Sequence, residues 1–133
     1  MTIRQVAALP LRRVRGSLEV LLVSSRETGR WVIPKGWPSK RLSDAAAAAR
    51  EAKQEAGVTG KIGAVPIGSY RYRKTMGAEV RFIDVVVYTL WVKKQRKRWR
   101  EKNERTRAWF SQDEAAEMVR EPRLKTLIAG FEG

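Results

Sequence analysis

Apolar residues along this chain fall into short runs parted by glycine, proline and charged clusters, the pattern of strands and helices in alternation. Gln5 to Arg13 and Leu18 to Ser25 are two such runs, and Arg15-Gly16-Ser17 between them predicts a hairpin. A turn at Arg26 to Gly29 precedes a short strand, Trp31 to Ile33, after which Pro34, Gly36 and Pro38 predict a loop. Asp44 to Ala56 is alanine-rich and predicts a helix, ended by Gly57 in a left-handed cap. Lys61 to Arg73 predicts a strand broken at Gly63 and Gly68. Thr75-Met76-Gly77 turns the chain, and Glu79 to Val92 is the longest strand, with Phe82-Ile83 and Val85 to Tyr88 in its core.

Thr106 to Phe110 predicts one more strand. Ser111-Gln112-Asp113-Glu114 reads as a capping box opening a helix that ends near Arg120. Pro122 suits the first turn of a last helix with Leu124, Leu127, Ile128 and Phe131 on one apolar stripe. Such an order suits an α/β fold, an α/β/α sandwich with a mixed β-sheet. No internal repeat is present. A length of 133 residues with 43% hydrophobic content is expected to make one domain, residues 1–133. No apolar run approaches about 18 residues, and the N-terminal stretch lacks the long apolar core of a signal peptide, so a soluble cytoplasmic protein is the expectation.

Composition narrows the chemistry. With no cysteine, disulfides and thiol catalysis are excluded; with no histidine, so are histidine bases and histidine-ligated zinc. Acid and base must come from carboxylates, lysine, tyrosine or a metal-bound water. The stretch Gly36 to Val58 offers such chemistry. On a helix at 3.6 residues per turn, Glu51, Gln54 and Glu55 share one face, so two carboxylates converge. Acids four apart repel by roughly 0.2–0.5 kcal/mol unless a cation intervenes; Arg50 and Lys53 lie beside them. Clustered hard oxygens suit magnesium or manganese, which neutralise phosphate charge. A solvated helix face is the plainer alternative.

This segment resembles the signature of the Nudix hydrolases. Gly36, Arg50, Glu51, Glu55, Gly57 and Val58 fall in register with it, whereas Leu42 stands where its first glutamate belongs and Gln54 replaces the first of two adjacent glutamates. Asp44 lies two residues beyond Leu42. The likeness continues outside the box. Val20 to Ser25 and Arg30 to Gly36 are similar to the approach in diphosphoinositol polyphosphate phosphohydrolases, and Arg107-Ala108-Trp109-Phe110 is similar to the end of that group, so it spans about Glu19 to Phe131. The resemblance implies the α/β/α sandwich and a metal-dependent pyrophosphohydrolase. It implies that Glu51 and Glu55 hold magnesium with Gln54 as a helper and the Gly36 carbonyl as a further ligand, and that Arg50 orients the glutamates. Water is then the nucleophile, with Glu51, Glu79, Asp113 and Glu114 all open as the base. The subgroup's substrates are diphosphoinositol polyphosphates and dinucleoside polyphosphates.

Charge points the same way. The 28 Lys and Arg against 14 Asp and Glu leave +14, which favours a polyanionic partner. Lys35, Lys40 and Arg41 flank the proposed metal helix and are read as phosphate clamps, with Arg30 beside the same loop and Trp37 as a wall of the substrate pocket. Tyr70 and Tyr72 alternate with Arg71 and Arg73 and are read as further lining. The basic run Lys93 to Arg100 is read as a charged loop between strands; a nucleic-acid patch with Trp99 stacking on a base is its rival. Trp31, Trp91 and Trp109 are read as core. Two other functions stay open: a catalytically weakened binding module for polyphosphate or RNA on the same fold, and a small basic nucleic-acid-binding domain. Oligomeric state is not legible.

Overall fold

A computed structural model describes residues 3–133. Its elements run β1 (Ile3–Val14), β2 (Ser17–Ser24), β3 (Trp31–Val32), β4 (Lys35–Gly36), α1 (Asp44–Ala56), β5 (Val58–Ile62), β6 (Gly68–Met76), β7 (Glu79–Gln95), β8 (Arg107–Ser111), α2 (Gln112–Met118) and α3 (Pro122–Gly130). All eight strands join one sheet, in which β1 and β7 lie parallel and every other pairing is antiparallel.

Alternation along the strands assigns each face its helices. On β1, Val6 and Ala8 point to the cluster containing Ala47, Ala48, Ala52 and Ala56 of α1. Ala7, Leu9 and Leu11 point the other way, to Ala115 and Ala116 of α2 and Leu124 and Ile128 of α3. Both faces of the central strands are therefore apolar, and the molecule is an α/β/α sandwich on a mixed sheet. No helix is long and apolar enough to cross a membrane among the described residues.

The feature that positions the site is a wedge. β1 pairs with β2 only over Leu11 to Val14, beside the turn. Farther out the two strands part, and residues 31–36 fill the gap: Trp31 and Val32 pair with β2, while Lys35 and Gly36 pair with Val6 and Ala7 of β1. Ala8 donates its N–H to the Pro34 carbonyl at 3.0 Å. The stretch read as loop from Pro34 to Pro38 is thus partly strand, because unpaired edges of β1 and β2 are open to it. Lys61 to Arg73 is corrected likewise: it divides into β5 and β6, which pair with opposite ends of β7. β7 itself runs on to Gln95 and absorbs the start of the basic run, and α2 stops at Met118.

Helix α1 has the predicted bounds. Ser43 accepts the Ala46 N–H, and Gly57 closes the helix at φ 67°, donating its N–H to the Lys53 carbonyl. A Cβ at Gly57 would also meet Trp99 and Arg107 at 2.8 Å. Gly57→Ala is therefore expected to cost about 2 kcal/mol, from backbone strain and the displaced indole. Chemical denaturation should show a lower midpoint with an unchanged slope.

Candidate active site

Strand β4 brings its backbone against α1 where the helix presents Glu51 and Glu55. Gly36 makes the approach possible, because a Cβ there would overlap the Glu51 carboxylate. Glu55 is buried at 6% exposure. Its Oε1 accepts the Lys35 N–H at 3.3 Å, and Arg105 Nη2 stands 3.6 Å from its Oε2. Arg105 is itself held by Glu101 at 2.6 Å and by the Ser24 carbonyl at 3.1 Å. Hydrogen bonds to helix carbonyls clip the segment that carries these two residues onto α1: the Trp99 side-chain Nε1 donates to the Glu55 carbonyl at 3.0 Å, and the Glu101 N–H donates to the Gln54 carbonyl at 3.1 Å.

The result is a polar cleft of about 660 Å³ lined by Arg30, Lys35, Gly36, Trp37, Arg50, Glu51, Glu55 and, from other segments, Tyr72, Glu101, Arg105 and Glu121. Burial pushes the Glu55 carboxyl up to about 7, against the pull of Arg105 and Lys35. Burial raises Glu51 as well, with Arg50 opposing. The Lys35 ammonium is pushed down by burial, against the attraction of Glu55. Tyr72, raised to about 12 chiefly by burial, keeps its proton and donates to Gln5 Oε1 at 2.7 Å. Arg30 lies 3.6 Å from Glu121, yet its Nε and Nη1 are buried without a hydrogen-bond partner.

Of the residues singled out in the sequence, Arg30, Lys35, Gly36, Trp37, Arg50, Glu51 and Glu55 meet in this cleft. Lys40 and Arg41 lie outside its lining. Gln54 turns to a second groove, with Arg50, Lys53 and Trp99. Asp44 pairs with Arg4 instead of standing in for Leu42. Among the carboxylates considered as base, Glu79 is bound to Arg81 and Glu114 caps Ser111, and neither they nor Asp113 line the cleft. Tyr70, Tyr72 and Arg73 line it; Arg71 faces away, paired with Asp84 at 2.8 Å. Trp99 is no free platform, since Arg107 stacks on it at 3.8 Å. Trp31 packs edge-on against Phe110, Trp91 against Phe131, and Trp109 beneath Arg12.

Sequence reading missed Glu101, Arg105 and Glu121. Glu101 and Arg105 stand four apart, a pairing signal, but the eye stops at the basic residues just before them.

Two carboxylates held against the strand backbone at Lys35 and Gly36 offer hard oxygen, which suits a divalent cation. Burial raises the carboxyl pKa of both Glu51 and Glu55, a desolvation cost that a bound cation would offset. Among the described residues no group of three acidic side chains is already gathered round a metal position; Arg105 bridges Glu55 and Glu101.

Comparison with known proteins agrees with this geometry. A sequence model of the NUDIX domain matches residues 1–130. Nudix hydrolase 16, mitochondrial, of Arabidopsis thaliana is 34% identical over 86% of this chain and 66% of its own length. Human diphosphoinositol polyphosphate phosphohydrolase 3-beta is 30% identical over 87% of this chain and 68% of its own. The chain spans between 54% and 66% of the length of the first three curated relatives it matches. A Caenorhabditis elegans Ap4A hydrolase structure superposes with a TM-score of 0.69 at 18% identity, covering 96% of this chain and 93% of that one, and so shares its fold.

The Glu55 shift carries a sign for stability. Its carboxyl rises from 4.5 to about 7 on folding, so the folded state holds a proton the unfolded state has lost across that window. The stability linked to it is full below the lower value and lost as pH rises through the upper one. In chelator, Glu55→Gln should therefore gain stability relative to the parent as pH goes from 5 to 8, read as a growing difference in melting temperature.

Proposed function

Because the chain belongs to the NUDIX domain family, we propose that it is a divalent-metal-dependent hydrolase of a phosphoanhydride bond in a densely phosphorylated substrate. The observation that carries this reading is the convergence of Glu51 and Glu55 on the β4 backbone, at Gly36 and Lys35, within a cleft walled by cations. Magnesium, with manganese as substitute, would be held by Glu51, Glu55 and the Gly36 carbonyl. When bound it offsets charge on the phosphates and on the departing oxygen.

The chain's own groups supply the rest. Arg30, whose buried Nε has no hydrogen-bond partner, is a cation on the cleft wall suited to a phosphate oxygen. Lys35 holds its ammonium 5.0 Å over the Tyr72 ring, facing the same space. Arg50 favours the charged form of Glu51. Water attacks phosphorus, the bridging P–O bond breaks, and the proton passes to a carboxylate of the cleft; of the bases the sequence left open, Glu51 alone lines it. Trp37, 46% exposed at the rim, closes one side.

Relatives and charge support the substrate class. Diphosphoinositol polyphosphate and dinucleoside polyphosphate are the leading candidates, given the name of the human relative and the net charge of +14. A second reading, a polyphosphate-binding module of weak activity, is favoured by the Arg105 bridge across Glu55 and Glu101 together with Leu42 and Gln54 in the box.

Phosphate release from diadenosine polyphosphates, diphosphoinositol polyphosphates, nucleoside triphosphates and nucleotide sugars, in magnesium or in chelator, tests both. Magnesium-dependent turnover should appear and fall by about 100-fold or more in Glu51→Gln. No turnover by a folded protein that still binds polyphosphate would establish the second reading instead. Gln54→Glu should change the rate by less than about threefold, because that side chain faces away from the cleft.

A further inference from the structure

The second groove, of about 420 Å³, is lined by Arg50, Lys53, Gln54, Arg96, Arg98, Trp99 and Arg100. Five of these seven are cations and none is an acid. Among the described residues none of the five joins an ion pair, although ten such pairs occur elsewhere. Arg96 Nε is buried without a partner.

A solvated loop would let its arginines spread apart. Here the backbone is pinned so that they cannot: the Arg96 N–H donates to the Gly57 carbonyl at 2.8 Å, Trp99 Nε1 to the Glu55 carbonyl at 3.0 Å, and Arg107 Nη2 to the Arg96 carbonyl at 2.6 Å. Like charges are thus gathered by contacts that do not involve them, which leaves their field for a ligand. Arg50 lines both this groove and the cleft, so the two adjoin at that residue of α1.

We propose that this groove is a second anion site that takes a run of phosphates extending past Arg50 from the catalytic cleft. Guanidinium forks suit phosphate oxygens, and the exposed Arg98 and Arg100 supply them at the rim. Gln54 gains a physical reason from this placement. A glutamate there would be the one acid in the groove; the amide keeps the lining free of negative charge while still offering N–H donors. The site needs neither metal nor turnover.

Binding of inorganic tripolyphosphate and of a longer inorganic polyphosphate, by calorimetry in chelator, tests this without catalysis. Arg98→Glu with Arg100→Glu should weaken the longer chain by about tenfold or more, and Gln54→Glu should weaken it by a few-fold. Lys61→Glu with Arg123→Glu makes the same change in net charge away from the groove and should leave affinity within about threefold. Equal loss in the two double variants would show diffuse attraction to a basic protein and overturn the proposal, as would no binding by the folded parent. Tighter binding of a single-stranded oligoribonucleotide than of polyphosphate at equal charge would overturn it in favour of an RNA groove. Loss of hydrolysis with binding retained touches the enzyme reading alone.

Discussion

Glu55 is the group around which this molecule is arranged. Its side chain is buried between a backbone N–H on β4, the Lys35 side chain and Arg105, while its carbonyl takes the Trp99 indole. Glu55 thereby ties two stretches distant in sequence, β4 and the 96–105 segment, to one helical turn. Removing one partner from a buried ion pair typically costs about 3–5 kcal/mol, much of it for the charge left behind. Burial nonetheless outweighs the neighbouring cations, since the carboxyl titrates near 7.

The wedge of residues 31–36 is what allows that arrangement. Because β1 and β2 separate, a short extended segment enters between them and delivers Lys35 and Gly36 to the N-terminal half of β1, beneath α1. Alanine on the inner face of α1 lets the helix sit close enough for Glu51 to reach the glycine backbone. Larger core residues on that face would hold the carboxylates away from the strand. Packing, more than helix propensity, therefore sets the position of the acids.

How much of this was legible follows from the range over which each signal acts. Helix α1 is announced locally by Ser43, the alanines and Gly57, and its observed bounds are those read from the sequence. The order of strands and helices along the chain, with the family resemblance, pointed to the sandwich on a mixed sheet. Glu101 and Arg105 were not found, because their role comes from a fold-back of 96–105 onto α1, for which the sequence carries only a four-residue spacing. Nor did helical periodicity resolve Gln54 from Glu51 and Glu55. A rotation of 100° per residue is enough to carry position 54 round to the other groove when the loop packs against that side.

That last point bears on how the altered box should be understood. If Leu42 and Gln54 were simple losses, the cleft should show the deficit, but Leu42 is 37% exposed and Gln54 faces the basic groove. The cleft instead gains Glu101, brought in by the loop and neutralised by Arg105. Charge is divided between the two grooves beside α1: acids gather where Gly36 can meet them, and the other groove is lined by none. A helix so divided can place a cation beneath one part of a polyphosphate while arginines take another, which is a more economical account of both substitutions than decay of the site.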